Sequence, residues 1–354
     1  MDTSNSVICS VIVPWHRNTA QLARSVGAIR SAIEISGVPT ELIIVADGST
    51  EDCSVLAADA GATLLNIAGP SGPAVARNRG AAIARGSVLT FIDSDVVIAP
   101  DALKRVMAAF AMPEISAVFG AYDDQPADPN FVSQARNLAH AFVHQRSSAD
   151  ASTFWAGLGG VRANAFAHVD GFDERFTQPC VEDIDLGYRM REAGFRIVLD
   201  PAIRGQHLKR WTVWSMLRTD IFQRGIPWTQ LLHQYRAMRN DLNLSYTDRA
   251  SVVVAYLLCA CVAAALWRMP FFWSALACVA ALAALDWPYY AFLTRHRGLL
   301  FTVAWFPLRV LFHLSNGISF LVGTALFLAG RMGMRMPGGL PVEPWQDYRM
   351  STGR

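Results

Sequence analysis

Residues 250–267 run eighteen positions without a charged side chain, and residues 269–285 add seventeen more. A helix needs about 20 apolar residues to cross the hydrocarbon layer of a bilayer, and such runs cannot face water on one side. Arg268-Met269-Pro270 between them reads as a tight turn, so the two runs are expected to form a hairpin. Arg236, Arg239 and Arg249 precede it; Arg295, His296 and Arg297 follow. Basic flanks mark the cytoplasmic side of a membrane protein, which puts both ends of the hairpin there. Residues 299–330 exceed one upright span and are interrupted by Pro307, Arg309, His313 and Asn316. They read as an interfacial helix over 299–312 and a crossing or re-entrant piece over 314–330. These features predict a multi-pass protein of the inner (cytoplasmic) membrane.

That division explains the composition. The chain has 354 residues, is 52% hydrophobic and only 17% charged, with a net charge of +2. A soluble domain averages about 25% charged residues. Residues 1–250 hold 26 acids and 23 bases, whereas residues 251–330 hold one acid, Asp286, and four arginines. A disordered chain and a strongly basic nucleic-acid binder are both excluded, so no nucleic-acid partner is expected. The six cysteines are scattered without zinc spacing and read as buried thiols in a reducing compartment. The amino-terminal stretch lacks the pattern of a secretory signal, which leaves the first domain in the cytoplasm.

Before residue 210 the pattern changes to short apolar runs alternating with helical periods. Residues 7–13, stopped by Pro14, suit a buried strand. Residues 18–35 suit a helix, with Leu22, Val26, Ile29 and Ile33 at helical spacing and Gly37 and Pro39 after it. Strands follow at 42–46, 62–67 and 87–92, with helices at 54–60 and 74–84. This alternation predicts an α/β domain with a parallel, doubly wound sheet, whose ligands sit at the carboxyl ends of the strands. Three polar clusters fall at those ends: His16-Arg17, Asp47-Gly48-Ser49 and Asp93-Ser94-Asp95.

Asp93 and Asp95, one residue apart after a buried strand, can reach one hard cation together. Mg²⁺ or Mn²⁺ is typically held by one or two carboxylates plus substrate phosphates. A solvated turn is the plain alternative for the same two residues.

The segments Val11-Ile12-Val13-Pro14, Ala46-Asp47-Gly48-Ser49, Ala76-Arg77-Asn78 and Phe91-Ile92-Asp93-Ser94-Asp95 together resemble family-2 inverting glycosyltransferases of the GT-A fold, in their membrane-anchored bacterial type. The resemblance continues through Gly159-Gly160-Val161-Arg162, Gly171-Phe172-Asp173-Glu174-Arg175-Phe176 and Glu182-Asp183-Ile184-Asp185-Leu186, spanning about residues 7–210. It implies a Rossmann-like nucleotide-sugar-binding domain followed by a helical transmembrane region. It also implies a nucleotide diphosphate sugar as donor and a divalent metal as cofactor. Asp183 would be the general base and Glu182 its neighbour on the acceptor side. Pro14, Asp47, Arg77, Asp93 and Ser94 would bind the nucleotide sugar, and Asp93, Asp95 and His207 would hold the metal. The chemistry is coherent: the acceptor oxygen loses its proton as it attacks the anomeric carbon opposite the diphosphate, so one carboxylate base suffices.

Several residues have a plainer reading beside the functional one. Acids in the first turn of a helix over 184–193, Asp185 above all, favour the helix dipole without catalysis. Trp155, Gly157, Gly159 and Gly160 read as a flexible acceptor loop or a plain turn. His16, His140 and His144 read as surface or core residues, and Cys180 as packing. Residues 211–236 mix Trp211, Trp214, Phe222 and Trp228 with arginines, as a headgroup-level collar does. Arg210 and Trp211 at its start are candidate acceptor contacts, because arginine suits a lipid phosphate. Residues 1–210 are thus read as the catalytic domain and 211–248 as the collar. Residues 249–331 follow as the membrane part and 332–354 as a tail. The expected acceptor is a lipid or lipid-linked molecule. A catalytically inactive membrane scaffold and a processive polysaccharide synthase are the alternatives. His207 stands where such synthases carry Gln in Q-x-x-R-W, which favours single transfer.

Overall fold

The computed structural model describes residues 8–237 and 244–332. Val7, Arg239, Arg335 and the tail from residue 333 lie outside the described residues. The chain divides into two units, one comprising the chain up to Asn130 with Ser147–Arg210, the other comprising Phe131–Arg146 with the chain from Trp211 onward.

The first unit is built on one mixed sheet. Its strands are β1 (Cys9–Trp15), β2 (Thr40–Asp47), β3 (Thr63–Ile67), β4 (Val88–Ile92), β5 (Val96–Ile98), β6 (Ile115–Tyr122), β7 (Asp150–Ala151), β8 (Leu158–Arg162) and β9 (Arg196–His207). Helices α1 (Thr19–Ser36), α2 (Ser54–Asp59), α3 (Pro73–Ile83), α4 (Ala102–Ala109), α6 (Ala163–His168) and α7 (Glu182–Glu192) connect them, while α5 (Phe131–Arg146) lies in the other unit. The sheet order is β3-β2-β1-β4-β8-β6-β9-β5, with β7 paired to β9. The four strands expected from sequence are there and mutually parallel, but the all-parallel expectation fails beyond β4. There β8 pairs antiparallel with both β4 and β6, and β5 antiparallel with β9. The reason is chain direction: β8 enters from a loop rather than from a crossover helix, so no right-handed βαβ unit governs it. Buried apolar residues fill both faces of the central strands, from Val11, Ile12 and Val13 to Val118 and Phe119.

The second unit is helical. After α8 (Val213–Arg218) a π-helical stretch, Thr219–Gly225, leads into α9 (Ile226–Gln234). Then come α10 (Tyr246–Ala265), α11 (Pro270–Leu285), α12 (Trp287–Arg297) and α13 (Leu299–Arg331). Helices α10 and α13 are long and apolar enough to cross a membrane; α11 and α12 pass the same test only together and are bent by 72°. Helices α10 and α11 pack side by side, as a hairpin requires. The expected break between 299–312 and 314–330 is absent: α13 is one continuous helix that contains Pro307. Its polar interruptions are satisfied at the α11–α12 bend. Arg309 donates to both oxygens of Asp286 at 2.9 and 3.0 Å, and His313 Nε2 lies 2.7 Å from the same carboxylate. A paired and buried charge can sit in a long apolar helix without breaking it.

The domain boundary near residue 210 recurs, but α5, counted from sequence with the catalytic part, packs with the helices. Its Ala135 and Leu138 join Trp211, Tyr289, Leu293 and Trp305 in one buried cluster, and Arg136 pairs with Asp220. The collar is likewise part of this core. Gly225 packs against Ser319, Gly323 against Thr229, and His233 bonds Thr324 at 2.8 Å. Only Val213, Trp214, Arg218 and Phe222 stay exposed along 213–222.

Candidate active site

The expected acids collect at the carboxyl ends of the central strands. Asp47 ends β2 and is buried. Its two carboxylate oxygens each accept a backbone N–H, from Ser71 and Gly72, both at 2.8 Å. These bonds pin the loop that starts α3. Gly72 caps that helix at φ +99°, and a Cβ there would meet the Thr177 carbonyl oxygen at 2.6 Å. Glycine is therefore needed for this approach. Pro14 lies in β1 beside Val45, half-buried.

From α3, Arg77 reaches across the site. It is buried, its guanidinium lies 5.3 Å from the Phe172 ring centre, and it donates to Asp93 at 2.7 Å and to Glu182 at 2.8 Å. Burial works against its charge, but Asp93, Glu182 and Asp183 outweigh that and hold its pKa above the usual range. Sequence alone leaves Arg77 divided between surface charge and ligand contact; it is a buried bridge between two candidate site acids.

Asp93, Ser94 and Asp95 form the turn between β4 and β5, all half-buried. The Asp93 and Asp95 side chains remain 31% and 28% exposed, so a ligand can reach them. The Asp93 N–H donates to Gly157 at 3.1 Å, tying the turn to the Trp155 segment. Burial pushes the Asp93 carboxyl up, and Asp95 and Glu182 push the same way against Arg77. At Asp95 burial also acts upward, but His207 and Lys209 outweigh it and hold the group down.

The three expected metal ligands do not form one cage. Asp93 is taken by Arg77, while Asp95 pairs with His207, whose Nε2 lies 3.4 Å away. Among the described residues no three His, Cys, Asp or Glu side chains gather as a metal site. The Asp95–His207 pair does fit Mg²⁺ or Mn²⁺ in the manner of a site completed by substrate phosphates.

The three acids at the start of α7 divide by environment. Glu182 is buried between Arg77 and the Cys180 N–H. Asp185 is buried and bonds Arg189 at 2.8 Å, which in turn holds the Val169 and Gly171 carbonyls. Asp183 is half-buried and accepts backbone N–H groups, from Ile184 at 2.8 Å and Ala156 at 3.2 Å.

Trp155 is half-buried and edge-on to Tyr122 at 4.5 Å, and Tyr122 stacks on His207 at 4.5 Å and 15°. Tyr122 escapes sequence reasoning because it closes β6, a strand that no βα alternation announces. Gly157 lets the indole fold over the chain: a Cβ there would sit 2.5 Å from the Trp155 ring. Gly159 and Gly160 are not in a flexible loop. They are buried in β8, where a Cβ would strike Phe154 or Val106 at 2.6 and 2.8 Å. Arg210 is 75% exposed, 3.8 Å from Asp128. Trp211 is 2% exposed in the core of the second unit, its indole N–H on Asn137 at 3.2 Å, so it packs and presents no free face to an acceptor.

Residues 10–176 match the model of the family described as glycosyl transferase family 2. The chain is 28% identical over 201 residues to the pre-mycofactocin glycosyltransferase of Mycobacterium tuberculosis, covering 54% of this chain and 41% of that protein. It is 27% identical over 239 residues to the validoxylamine A glucosyltransferase of Streptomyces hygroscopicus subsp. jinggangensis, covering 54% of this chain and 53% of that one. The chain thus spans about half or less of these relatives. Among solved structures, the mannosyltransferase from Pyrobaculum calidifontis in complex with GDP-Man and Mn²⁺ superimposes with a TM-score of 0.56 at 16% identity, covering 88% of this chain and 86% of that one. The chain therefore carries a family 2 glycosyltransferase domain of GT-A fold, followed by helices apolar enough to span a membrane.

Proposed function

We propose that the chain transfers a sugar, with inversion, from a nucleotide diphosphate sugar to a lipid or lipid-linked acceptor at the cytoplasmic face of a membrane. The observation that carries this reading is the Arg77 bridge. It commits Asp93 and Glu182 to one buried guanidinium and leaves Asp183 oriented by backbone N–H groups at the rim.

In this reading Asp183 takes the proton from the acceptor hydroxyl while its oxygen attacks the anomeric carbon from the side opposite the diphosphate. Glu182 acts through Arg77, keeping it aimed at the donor side. Asp47 shapes the loop beside the nucleotide, next to Pro14 at the end of β1. Asp95 and His207 would hold Mg²⁺ or Mn²⁺, whose charge neutralises the diphosphate as it leaves. Trp155 offers a ring face for a sugar or acceptor. The apolar helices of the same chain support a lipid-borne acceptor and a membrane location.

Labelled nucleotide diphosphate sugars, incubated with the purified chain and either membrane lipid extracts or soluble sugars, test the proposal. Transfer to lipid with the opposite anomeric configuration is expected. Transfer confined to soluble acceptors, or retention of configuration, contradicts it.

A further inference from the structure

Three arginines crowd the second unit between α5, the π-helical stretch and α13, and two of them are neutralised locally. Arg136 pairs with Asp220, and Arg309 pairs with Asp286 at 2.9 Å and faces Asp248 at 3.6 Å. The third, Arg224, sits one turn after Asp220, whose carboxylate is turned to Arg136. Among the described residues its hydrogen-bond partner is an imidazole, with Arg224 Nη1 3.3 Å from His140 Nε2. Arg224 is half-buried, and so reachable from outside the core. Its field is felt nearby: burial first, and Arg224 second, push His144 down to about 4. Phe222, two residues away, is 64% exposed, and Trp214 earlier on the same stretch is 74% exposed. Aromatic side chains exposed beside an arginine suit the layer where lipid headgroups lie.

We infer that Arg224, with His140 beside it, binds the phosphate of a lipid that carries it as a terminal monoester. The guanidinium supplies paired N–H donors and a charge that no local carboxylate cancels, which suits a phosphate dianion. The apolar helices of the same unit suit the lipid chain. The inference rests on the lipid-acceptor reading above and names the group by which such an acceptor is held.

The test uses the full chain in phosphatidylcholine nanodiscs, titrated with a long-chain isoprenyl phosphate and followed by thermal shift. The matching isoprenyl alcohol, phosphatidylglycerol and inorganic phosphate are run alongside, as is GDP or UDP with Mn²⁺. Isoprenyl phosphate is expected to stabilise the wild type and the exposed-site control Arg218→Ala, with the alcohol, phosphatidylglycerol and inorganic phosphate inactive. Arg224→Ala is expected to weaken that binding by about tenfold, the loss of one charge-assisted contact, and Arg224→Lys by less. If Arg224→Ala fails to fold, His140→Ala carries the same test with the same direction. Wild-type affinity in the Arg224 and His140 variants overturns the inference, as does an equal response to the alcohol, phosphatidylglycerol or inorganic phosphate. A nucleotide response that persists in either case leaves the sugar-transfer reading standing.

Discussion

Arg77 and Asp93 are joined by a 2.7 Å ion pair in which the arginine is buried and the aspartate is partly open to solvent. The same guanidinium holds Glu182, so one side chain fixes the spacing between the donor-side turn and the start of α7. Arg77→Ala leaves Glu182 buried without its counter-charge. Removing one partner of a buried pair costs about 3–5 kcal/mol. A fall in stability of that size is expected in chemical unfolding of the detergent-solubilised protein, with Arg77→Lys also destabilising because a point charge cannot serve both acids at once. A change below about 1 kcal/mol in both variants would show that the bridge does not hold the site together.

Tyr122 stacks flat on His207 and so sets the imidazole plane beside Asp95. Groups that orient a metal-binding histidine typically change metal affinity by about 10–100-fold. Tyr122→Leu is expected to weaken Mn²⁺ binding by about tenfold at unchanged fold, and Tyr122→Phe to restore most of it. Mn²⁺ electron paramagnetic resonance titration reads this without any turnover. Equal affinities in all three proteins would remove Tyr122 from the site.

Burial, with Asp124 beside it, raises the Asp123 carboxyl to about 6, against partial opposition from the Gln125 N–H and Arg204. A folded-state pKa above the unfolded value near 3.8 means that the stabilisation is complete below about pH 4. It is lost as pH rises through about 6. Asp123→Asn mimics the protonated form, so its advantage over the wild type should be near zero at pH 4. By pH 7.5 it should grow to about 1–2 kcal/mol, allowing for the partial exposure of the group. Melting temperatures across that range check it; an advantage that shrinks with rising pH contradicts it.

Strands β1 to β4 are legible because each is a buried apolar run that stops at a proline, a glycine turn or an acid. The acids at their ends therefore point to the site directly. Strand β8 is not legible: Gly159 and Gly160 look like a loop, yet they are selected by the rings of Phe154 and Phe110 packed where a Cβ would lie. Helix α5 reads as part of the first domain because it is polar along its length. Its allegiance depends on Arg136 finding Asp220, a partner 84 residues later. Pro307 looks like a break, but Trp305, Phe306 and Leu308 around it are packed into the aromatic cluster of α5 and α12, which holds the helix through the missing hydrogen bond. The Arg77 bridge is visible in the sequence only as two separate motifs, because ion-pair geometry is a tertiary property.

Helix α13 lies close against α9. A Cβ on Gly323 would meet the Ile226 carbonyl oxygen at 2.8 Å and the Thr229 side chain at 2.6 Å. Gly323→Val is expected to destabilise the helical unit by about 1–3 kcal/mol, the usual cost of overpacking. His233→Cys and Thr324→Cys, reacted with thiol reagents, should become more accessible in that background. Unchanged labelling rates would mean the two helices separate freely.

The most direct test of the central claim is single-turnover transfer by Asp183→Asn. The substitution keeps the shape and the backbone contacts to Ala156 and Ile184 while removing the proton acceptor. We expect transfer to fall by at least about 10²–10⁴-fold, with nucleotide-sugar binding in the presence of Mn²⁺ unchanged by calorimetry. Transfer at the wild-type rate would contradict Asp183 as the base, and with it the division of labour between Asp183 and the Arg77 bridge.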